Sequence, residues 1–202
     1  MKGTLYLVNR AHPLPEEPAA EDLASVRSGQ TEVRLHQRAK VMLDQLLAAV
    51  DGAGTIIPVS GYRPQTEQQA IWEDALAEHG SAFTETYVAR PGCSEHQTGL
   101  AIDLGENRPE VDFLCPAFPD SGPCGALRRR AADFGFVLRY PKGKEAVTGI
   151  GYEPWHFRYV GWPHAKLMEE RHLVLEEYLE WLHDFPLGGE PLRFRGLGRL
   201  FE

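Results

Sequence analysis

The segment CSEHQTGLAIDLG, residues 93–105, constrains the fold of this chain more than any other stretch. It places His96 and Asp103 on either side of Gly99, in a turn that runs into the apolar strand pattern LAIDLG. One interpretation is a turn before a buried strand. The other is a metal site with a ligand on each side of the strand start, since both side chains bind metals readily. The second interpretation requires a third ligand elsewhere in the chain.

The segment GIGYEPWHFRYVG supplies that third candidate, His156. Two histidines and Asp103 would leave the fourth position of a tetrahedral zinc open for water, as catalytic zinc sites require. Glu153 lies three residues before His156, and Pro154 prevents a regular helix between them. A turn there would bring Glu153 near the metal as a general base. Each string alone is common in protein cores, so it is their combination that favours a catalytic zinc site.

A second polar string, SGYRPQTEQ, contributes Arg63 and Gln68. An arginine after a strand and a turn is usually a surface charge. A peptide-cleaving zinc site, however, needs a cation that polarises the scissile carbonyl or holds a substrate carboxylate, and the guanidinium fork suits both tasks. Gln68 falls at the start of the next helix, within reach of the same pocket. Surface or helix-capping positions are predicted for the remaining histidines, namely His12, His36, His79, His164, His172 and His183.

Composition restricts the class of partner. The length of 202 residues suits one domain or two small ones, and the net charge of −8 disfavours nucleic acid and anionic membranes. No segment approaches the roughly 20 apolar residues of a membrane span, and the amino terminus lacks the apolar region of a secretory signal. We therefore expect a cytoplasmic protein. Three scattered cysteines predict free thiols, with a Cys115–Cys124 bridge as an open alternative.

The order of the predicted elements favours an α+β fold over a parallel α/β sheet, because helices and strands do not alternate in βαβ units. Thr66 is the predicted N-cap of one helix, Gln69 completes its capping box, and Gly80 ends it. We predict a weakly structured arm over 11–30, helices over 32–50, 66–80, 126–135, 163–172 and 173–185, strands over 55–61, 100–105, 136–140 and 155–161, and loops over 106–125 and 141–154.

The three motif segments SGYRPQTEQ, PGCSEHQTGLAID and GIGYEPWHFRYVG resemble the signature segments of the zinc D,D-peptidases of the VanY and VanXY type. The dipeptidase VanX and the L,D-carboxypeptidases share the same scaffold. The resemblance covers roughly residues 55–185. It implies a Hedgehog/DD-peptidase-like zinc fold, with a small antiparallel sheet flanked by helices. We expect a single domain over 1–202, with an N-terminal arm over 1–30 and a C-terminal tail over 186–202.

The resemblance also implies the roles of the site residues. It implies that His96, Asp103 and His156 bind Zn²⁺. It implies that Glu153 is the catalytic base and that Arg63 steadies the carbonyl oxygen and transition state. Ser94 and Gln68 would contact the substrate, and Trp155 would form part of the pocket wall. Family members hydrolyse the terminal D-Ala-D-Ala bond of peptidoglycan precursors, or the free dipeptide. The balance between carboxypeptidase and dipeptidase stays open, and we expect it to rest on loops 106–124 and 141–150.

Two alternatives stay open at this point. One is an L,D-carboxypeptidase that trims wall tetrapeptides. The other is a zinc module that binds peptide ends without cleaving them, although such a module would be expected to lack Glu153. A structural zinc domain would need a fourth ligand, and the sequence offers none that pairs with the other three. The oligomeric state is not indicated by the sequence.

Overall fold

The computed structural model of this protein describes residues 3–28 and 31–184. The strands are β1 (Leu23–Ser28), β2 (Thr31–His36), β3 (Ile56–Ser60), β4 (Ala101–Glu106), β5 (Phe136–Leu138) and β6 (His156–Tyr159). The helices are α1 (Gln37–Ala49), α2 (Gln65–Tyr87), α3 (Gly122–Arg130), α4 (Glu145–Thr148), α5 (His164–Arg171) and α6 (Leu175–His183), with 3₁₀ turns at Ala20–Asp22, Glu95–Thr98 and Ala131–Phe134.

Four strands form a central antiparallel sheet in the order β3-β4-β6-β5, and β1 and β2 form a separate antiparallel pair. In this register Asp103 of β4 lies opposite both Ser60 of β3 and His156 of β6. Antiparallel pairing with helices packed around the sheet confirms the predicted α+β class. The register also brings two of the three predicted ligands onto neighbouring strands.

Two hydrophobic clusters hold the helices against the sheet. The larger cluster joins Leu35 of β2 and Leu43 of α1 to Ile102 of β4 and Phe157 of β6. The second cluster packs α5 and α6 against the β5 side of the sheet, and Tyr178 lies fully buried within it. Each such side chain contributes about 1.5–3 kcal/mol through its burial, so the clusters fix the sheet on which the polar site is built.

The predictions for residues 23–36 were wrong in two respects. Residues predicted as a weakly structured arm and the start of a helix form the β1–β2 hairpin, and α1 begins only at Gln37. Val33 and Leu35 are buried whereas Glu32 and Arg34 are exposed, which is the alternation of a strand. Leu35 also fits the helical spacing of the apolar residues that follow it. The sequence pattern was therefore assigned to the helix, and the strand was not predicted.

The hairpin supports both loops that carry the polar motifs. The backbone N–H of Tyr62 donates to Arg34 O at 2.6 Å, and that of His36 donates to Gly99 O at 2.8 Å. His36 also caps α1, because its Nδ1 accepts from Arg38 N at 3.3 Å. The capping role predicted for His36 is therefore confirmed, although the residue precedes α1 and does not lie inside a helix as the predicted bounds of 32–50 implied.

Helix α2 begins differently from the prediction. Its N-cap is Pro64, not Thr66, and the free N–H of Gln65 donates to the Glu17 carboxylate at 2.6 Å. A carboxylate from the N-terminal segment therefore replaces the predicted local capping box. Gly80 interrupts the helix with a φ of 78°, as expected of a stop, but helical structure resumes and continues to Tyr87.

Most of the remaining elements lie where the sequence predicted them. Two differences are that α3 begins at Gly122 rather than at residue 126, and that the predicted loop over 141–154 contains the short helix α4. Cys93, Cys115 and Cys124 are free thiols. Across residues 3–28 and 31–184, none of the helices has the length and apolar character to cross a membrane. The predicted tail over 186–202 lies outside the described residues, and the single-domain organisation stays a prediction.

His164, for which a surface or capping role was predicted, lies partly buried at the first position of α5. Its Nδ1 is 2.8 Å from the Tyr178 hydroxyl of α6, and burial lowers the pKa of its imidazole below the usual 6.5. The neutral ring therefore joins the two helices. As the pH falls, the unfolded chain binds this proton before the folded chain does, so the contribution of His164 to stability is lost.

We predict that His164→Gln makes the free energy of unfolding less sensitive to pH below about 6.5, the usual imidazole pKa. Urea titrations of the wild type and the variant at steps from pH 7.5 to 5 give the two slopes. The wild type should lose more stability over this range than the variant. Parallel curves would show that the ring is not held neutral by the α5–α6 contact.

Candidate metal centre and active site

The three predicted ligands converge in the interior of the protein. Asp103 bridges the two imidazoles, with Oδ2 at 3.1 Å from His96 Nε2 and Oδ1 at 3.0 Å from His156 Nδ1. One ligand atom from each side chain lies within 4.8 Å of the other two, and all three residues are buried. The structure therefore brings together side chains that lie up to 60 residues apart in sequence.

His96 is presented by the 3₁₀ turn Glu95–Thr98. The Ser94 hydroxyl caps this turn by accepting from His96 N at 3.3 Å, and Gly99 ends it with a φ of 69°. This positive φ favours glycine, and a Cβ would also lie 2.8 Å from Leu23 Cδ2, so that side chain would have to shift. His96 Nδ1 lies 2.7 Å from Gly61 O, and donation there leaves the Nε2 lone pair facing Asp103.

The charges in this cluster are mutually stabilised. Burial alone would raise the pKa of Asp103, but the two neighbouring imidazoles hold it well below its ordinary value. Burial alone would lower the pKa of His156, but Asp103 and Glu95 raise it to about 9. Burial and the Arg63 charge lower the pKa of His96. A metal bound here would displace the His156 proton, so its affinity should rise with pH.

The donor set fits a metal ion such as zinc. It consists of two imidazole nitrogens and one carboxylate, the ligand types that Zn²⁺ takes in open catalytic sites. Among the residues that the structure describes, the cluster holds these three ligands and no fourth. Asp103 Oδ1 is buried and lacks a hydrogen bond of good geometry, as expected of an atom placed to bind a cation.

Glu153 lies beside the cluster, as predicted, on the turn that enters β6. Its Oε2 is 3.6 Å from His156 Nδ1, and its backbone N–H donates to Tyr140 O at 3.1 Å. Burial, and secondarily the negative charge of Asp103, raise the pKa of this carboxyl group to about 8 against the opposing effects of His156 and Arg63. A carboxyl group with such a pKa can both accept and donate a proton near neutral pH.

Arg63, Ser94 and Trp155 line the same cavity as the cluster. Arg63 is 9% exposed, and its Nε has no hydrogen-bond partner among the described residues. Burial lowers the pKa of its guanidinium, and the nearby carboxylates of Asp103 and Glu153 oppose that shift. The structure therefore holds a desolvated cation, free to donate, next to the three ligands.

Gln68 occupies a different position from the one expected. It is fully buried, and its Nε2 donates to Ala89 O at 2.8 Å, so it supports a residue of the cavity wall from behind. The direct contact with substrate that the sequence suggested stays a prediction. Both loops expected to shape the cleft do reach the cavity, through Phe113 and Leu114 on one side and Ile150 on the other.

Two buried residues next to the cluster had no role assigned from the sequence. Glu95 is 1% exposed and faces His156, and two arginine side chains hold its pKa well below the ordinary value although burial alone would raise it. Tyr140 packs its ring 4.8 Å from the His156 ring. The available signal was Arg139 and Arg158, two charges in otherwise apolar strands, which imply a buried anion as partner.

A His–Asp–His cluster that shares a cavity with a buried carboxylate and a free guanidinium is the arrangement of a metal-dependent hydrolase. Residues 32–162 match the family model VanY, D-alanyl-D-alanine carboxypeptidase. The chain belongs to this family, which confirms the resemblance drawn from the three motif segments.

The similarity to individual proteins extends over most of the chain. This chain is 42% identical over 181 residues to the bifunctional D-Ala-D-Ala dipeptidase and carboxypeptidase VanXYC of Enterococcus gallinarum. The aligned region covers 89% of this chain and 95% of that protein. The structure superposes with a TM-score of 0.84 on the D,D-dipeptidase VanXYg in complex with a D-Ala-D-Ala phosphinate analogue, at 44% identity, covering 89% of this chain and 71% of that one.

Two further structures differ in activity but share the fold. A VanY D,D-pentapeptidase variant in complex with Zn(II) gives a TM-score of 0.67 at 34% identity, covering 87% of this chain and 98% of that one. The LD-carboxypeptidase LdcB gives a TM-score of 0.73 at 35% identity, covering 86% of this chain and 84% of that one. The fold alone therefore does not distinguish D,D from L,D specificity.

We predict that Zn²⁺ raises the melting temperature of metal-free protein. A ligand at 100 times its Kd stabilises the folded state by about 2.7 kcal/mol, a shift that differential scanning fluorimetry detects. His156→Ala should abolish the shift, whereas His79→Ala, which removes a histidine outside the cluster, should keep it. Equal shifts in both variants would place the metal elsewhere.

Proposed function

We propose that this chain is a zinc-dependent D,D-carboxypeptidase that removes the terminal D-Ala from D-Ala-D-Ala ends of peptidoglycan precursors, and that it also hydrolyses the free dipeptide. The observation that carries the proposal is the shared cavity of His96, Asp103, His156, Glu153 and Arg63. The similarity to a bifunctional dipeptidase and carboxypeptidase along almost its whole length supports the double activity.

His96, Asp103 and His156 would hold the zinc ion. When bound, zinc supplies Lewis acidity, which polarises the scissile carbonyl and lowers the pKa of a water molecule. The chain's own contribution is to fix the donors before the metal arrives. Gly61 O orients one imidazole, and Asp103 lies between both rings.

Glu153 would move the proton during hydrolysis. Its Oε2, at the edge of the cluster, accepts a proton from the attacking water as the new C–O bond forms at the scissile carbonyl carbon. The same oxygen then donates that proton to the departing amine nitrogen as the C–N bond breaks. The products are free D-alanine and a peptide with a new terminal carboxylate, and no covalent link to the protein is formed.

Arg63 would stabilise the negative charge that develops on the carbonyl oxygen. Because the guanidinium is buried, its interaction with an oxyanion is much stronger than in water. Its backbone N–H donates to His96 O at 3.2 Å, which ties its position to that of a ligand. This hydrogen bond holds the Arg63 guanidinium and the three ligands at a fixed distance from each other, so that both can act on the same scissile bond of the substrate.

The remaining walls suit a short peptide end. Ser94 Oγ accepts the backbone N–H of His96, which leaves its own O–H to donate to the substrate. Trp155, Val88 and Leu114 provide apolar wall where alanine methyl groups can pack. In this mechanism Ser94 binds the substrate and is not the nucleophile. The cytoplasmic location expected from the sequence stays a prediction.

We predict that Glu153→Gln binds Zn²⁺ as the wild type does but loses activity by about 10²–10⁴-fold, the usual contribution of a general base. The measurement is D-Ala release combined with elemental analysis of the purified variant. Glu145→Gln, which neutralises an exposed carboxylate on α4, is the matched control and should keep full activity. Near-normal turnover of the Glu153 variant would assign the base to another group.

We also predict that the enzyme cleaves both D-Ala-D-Ala and a D-Ala-D-Ala-terminated pentapeptide, and discriminates against L-Ala-D-Ala and the L,D-bond of a tetrapeptide. A panel of these four substrates, compared by kcat/KM for D-Ala release, tests substrate class and chain length together. Faster release from the L,D-tetrapeptide than from either D,D-substrate would favour the L,D-carboxypeptidase alternative.

A further inference from the structure

Glu95 lies on the side of His156 that faces away from the other ligands. Its Oε2 is 3.5 Å from His156 Nε2, whereas His156 Nδ1 points at Asp103. Both Glu95 Oε2 and His156 Nε2 are buried, and neither has a hydrogen-bond partner within the described part of the chain. Two unsatisfied buried atoms of complementary chemistry therefore face each other, one a natural acceptor and the other a ring nitrogen that can donate.

Two buried arginines fix the position of Glu95. Arg139 Nε donates to Glu95 Oε1 at 2.8 Å, and Arg158 NH1 lies at 2.8 Å from the same oxygen. The two guanidinium groups are 1% and 0% exposed. They occupy Oε1, so Oε2 is the oxygen left to face the ring of His156.

The network continues to helix α6. Both terminal nitrogens of Arg139 donate to the Glu176 carboxylate, at 2.8 and 2.7 Å. Glu176 thereby holds Arg139 in a bidentate clamp, whose geometry is more specific than that of a single contact. An unbroken series of contacts joins Glu176 on α6, Arg139 next to β5, Glu95 on the 3₁₀ turn and His156 on β6.

We infer that Glu95 is a positioning residue for the metal centre. This inference rests on the metal site proposed above. It accepts the Nε2–H of His156, which directs the Nδ1 lone pair toward the metal and fixes the plane of the ring. Gly61 O plays the same part for His96, because it lies 2.7 Å from Nδ1 and leaves Nε2 to the metal. Acceptors behind metal-bound histidines typically account for a factor of about 10–100 in metal affinity. Glu176 helps to fix the position of the Glu95 carboxylate, because it holds the Arg139 side chain that binds this carboxylate.

A purely structural role for Glu95 would be to neutralise the two arginines. Glu95→Asp separates the two roles, because it keeps the charge but shortens the side chain by one methylene and withdraws the carboxylate from His156. The metal-free variant should therefore stay folded. Glu176→Gln provides a second route, since it loosens Arg139 without touching the turn that carries His96.

The test measures the Zn²⁺ affinity of metal-free protein by competition with a chromophoric chelator, together with the visible spectrum of the Co²⁺-substituted form. We expect Glu95→Asp to bind Zn²⁺ about 10–100-fold more weakly, with an altered Co²⁺ spectrum. Glu176→Gln should show a smaller loss in the same direction. The control is Glu177→Gln on the same helix, whose carboxylate contacts Lys144 and caps Val174 N, and it should keep wild-type affinity.

Wild-type Zn²⁺ affinity and an unchanged Co²⁺ spectrum in folded Glu95→Asp would overturn the inference. If Glu95→Asp does not fold, the two α6 variants provide the test. Equal losses of Zn²⁺ affinity in Glu176→Gln and Glu177→Gln would overturn the inference, because they would assign the effect to the stability of the helix. His156→Ala separates this result from the proposed function. Undiminished zinc binding in His156→Ala would contradict the proposed metal site, and the positioning role of Glu95 would then also be wrong.

Discussion

The pairing of β4 with β6 is the constraint on which the rest of this structure depends. It sets Asp103 opposite His156, and the pairing of β4 with β3 sets Ser60 beside them. A slip of one residue in either ladder would turn Asp103 to the other face of the sheet and dismantle the cluster. The apolar residues that alternate with it, such as Ile102 and Leu104, are fully buried, so their packing fixes the register that the polar site requires.

Burial of so many charges in a small protein is costly unless each charge has a partner. Removing an ion from water costs several kcal/mol even after relaxation, and a pair recovers that cost only with good geometry. Glu95 meets this condition through two arginines, and Asp103 through two histidines. Glu153 is the least compensated of the carboxylates, and its pKa of about 8 is the result. The group assigned the proton transfer is thus the carboxylate of the cluster that binds a proton most readily.

Much of the site could be predicted because its chemistry depends on residue type and spacing. His96, Asp103, His156, Glu153 and Arg63 occupy motif segments whose turns and strands are locally encoded. The support behind them could not be predicted, because it comes from distant segments. Glu95 finds its arginines more than 40 residues away, and Glu17 caps α2 from the N-terminal segment. The β1–β2 hairpin was missed for another reason, since Leu35 fits both the strand and the helix period and only tertiary packing decides between them.

The central claim is that a single zinc ion occupies an open three-ligand site with Glu153 beside it. Anomalous scattering at the zinc absorption edge, from crystals of the Zn²⁺-loaded protein, tests this most directly. We expect one peak at about 2.0–2.2 Å from His96 Nε2, His156 Nδ1 and an Asp103 oxygen, with no fourth protein ligand. A peak elsewhere, or one completed by the Glu153 carboxylate as a fourth ligand, would contradict it.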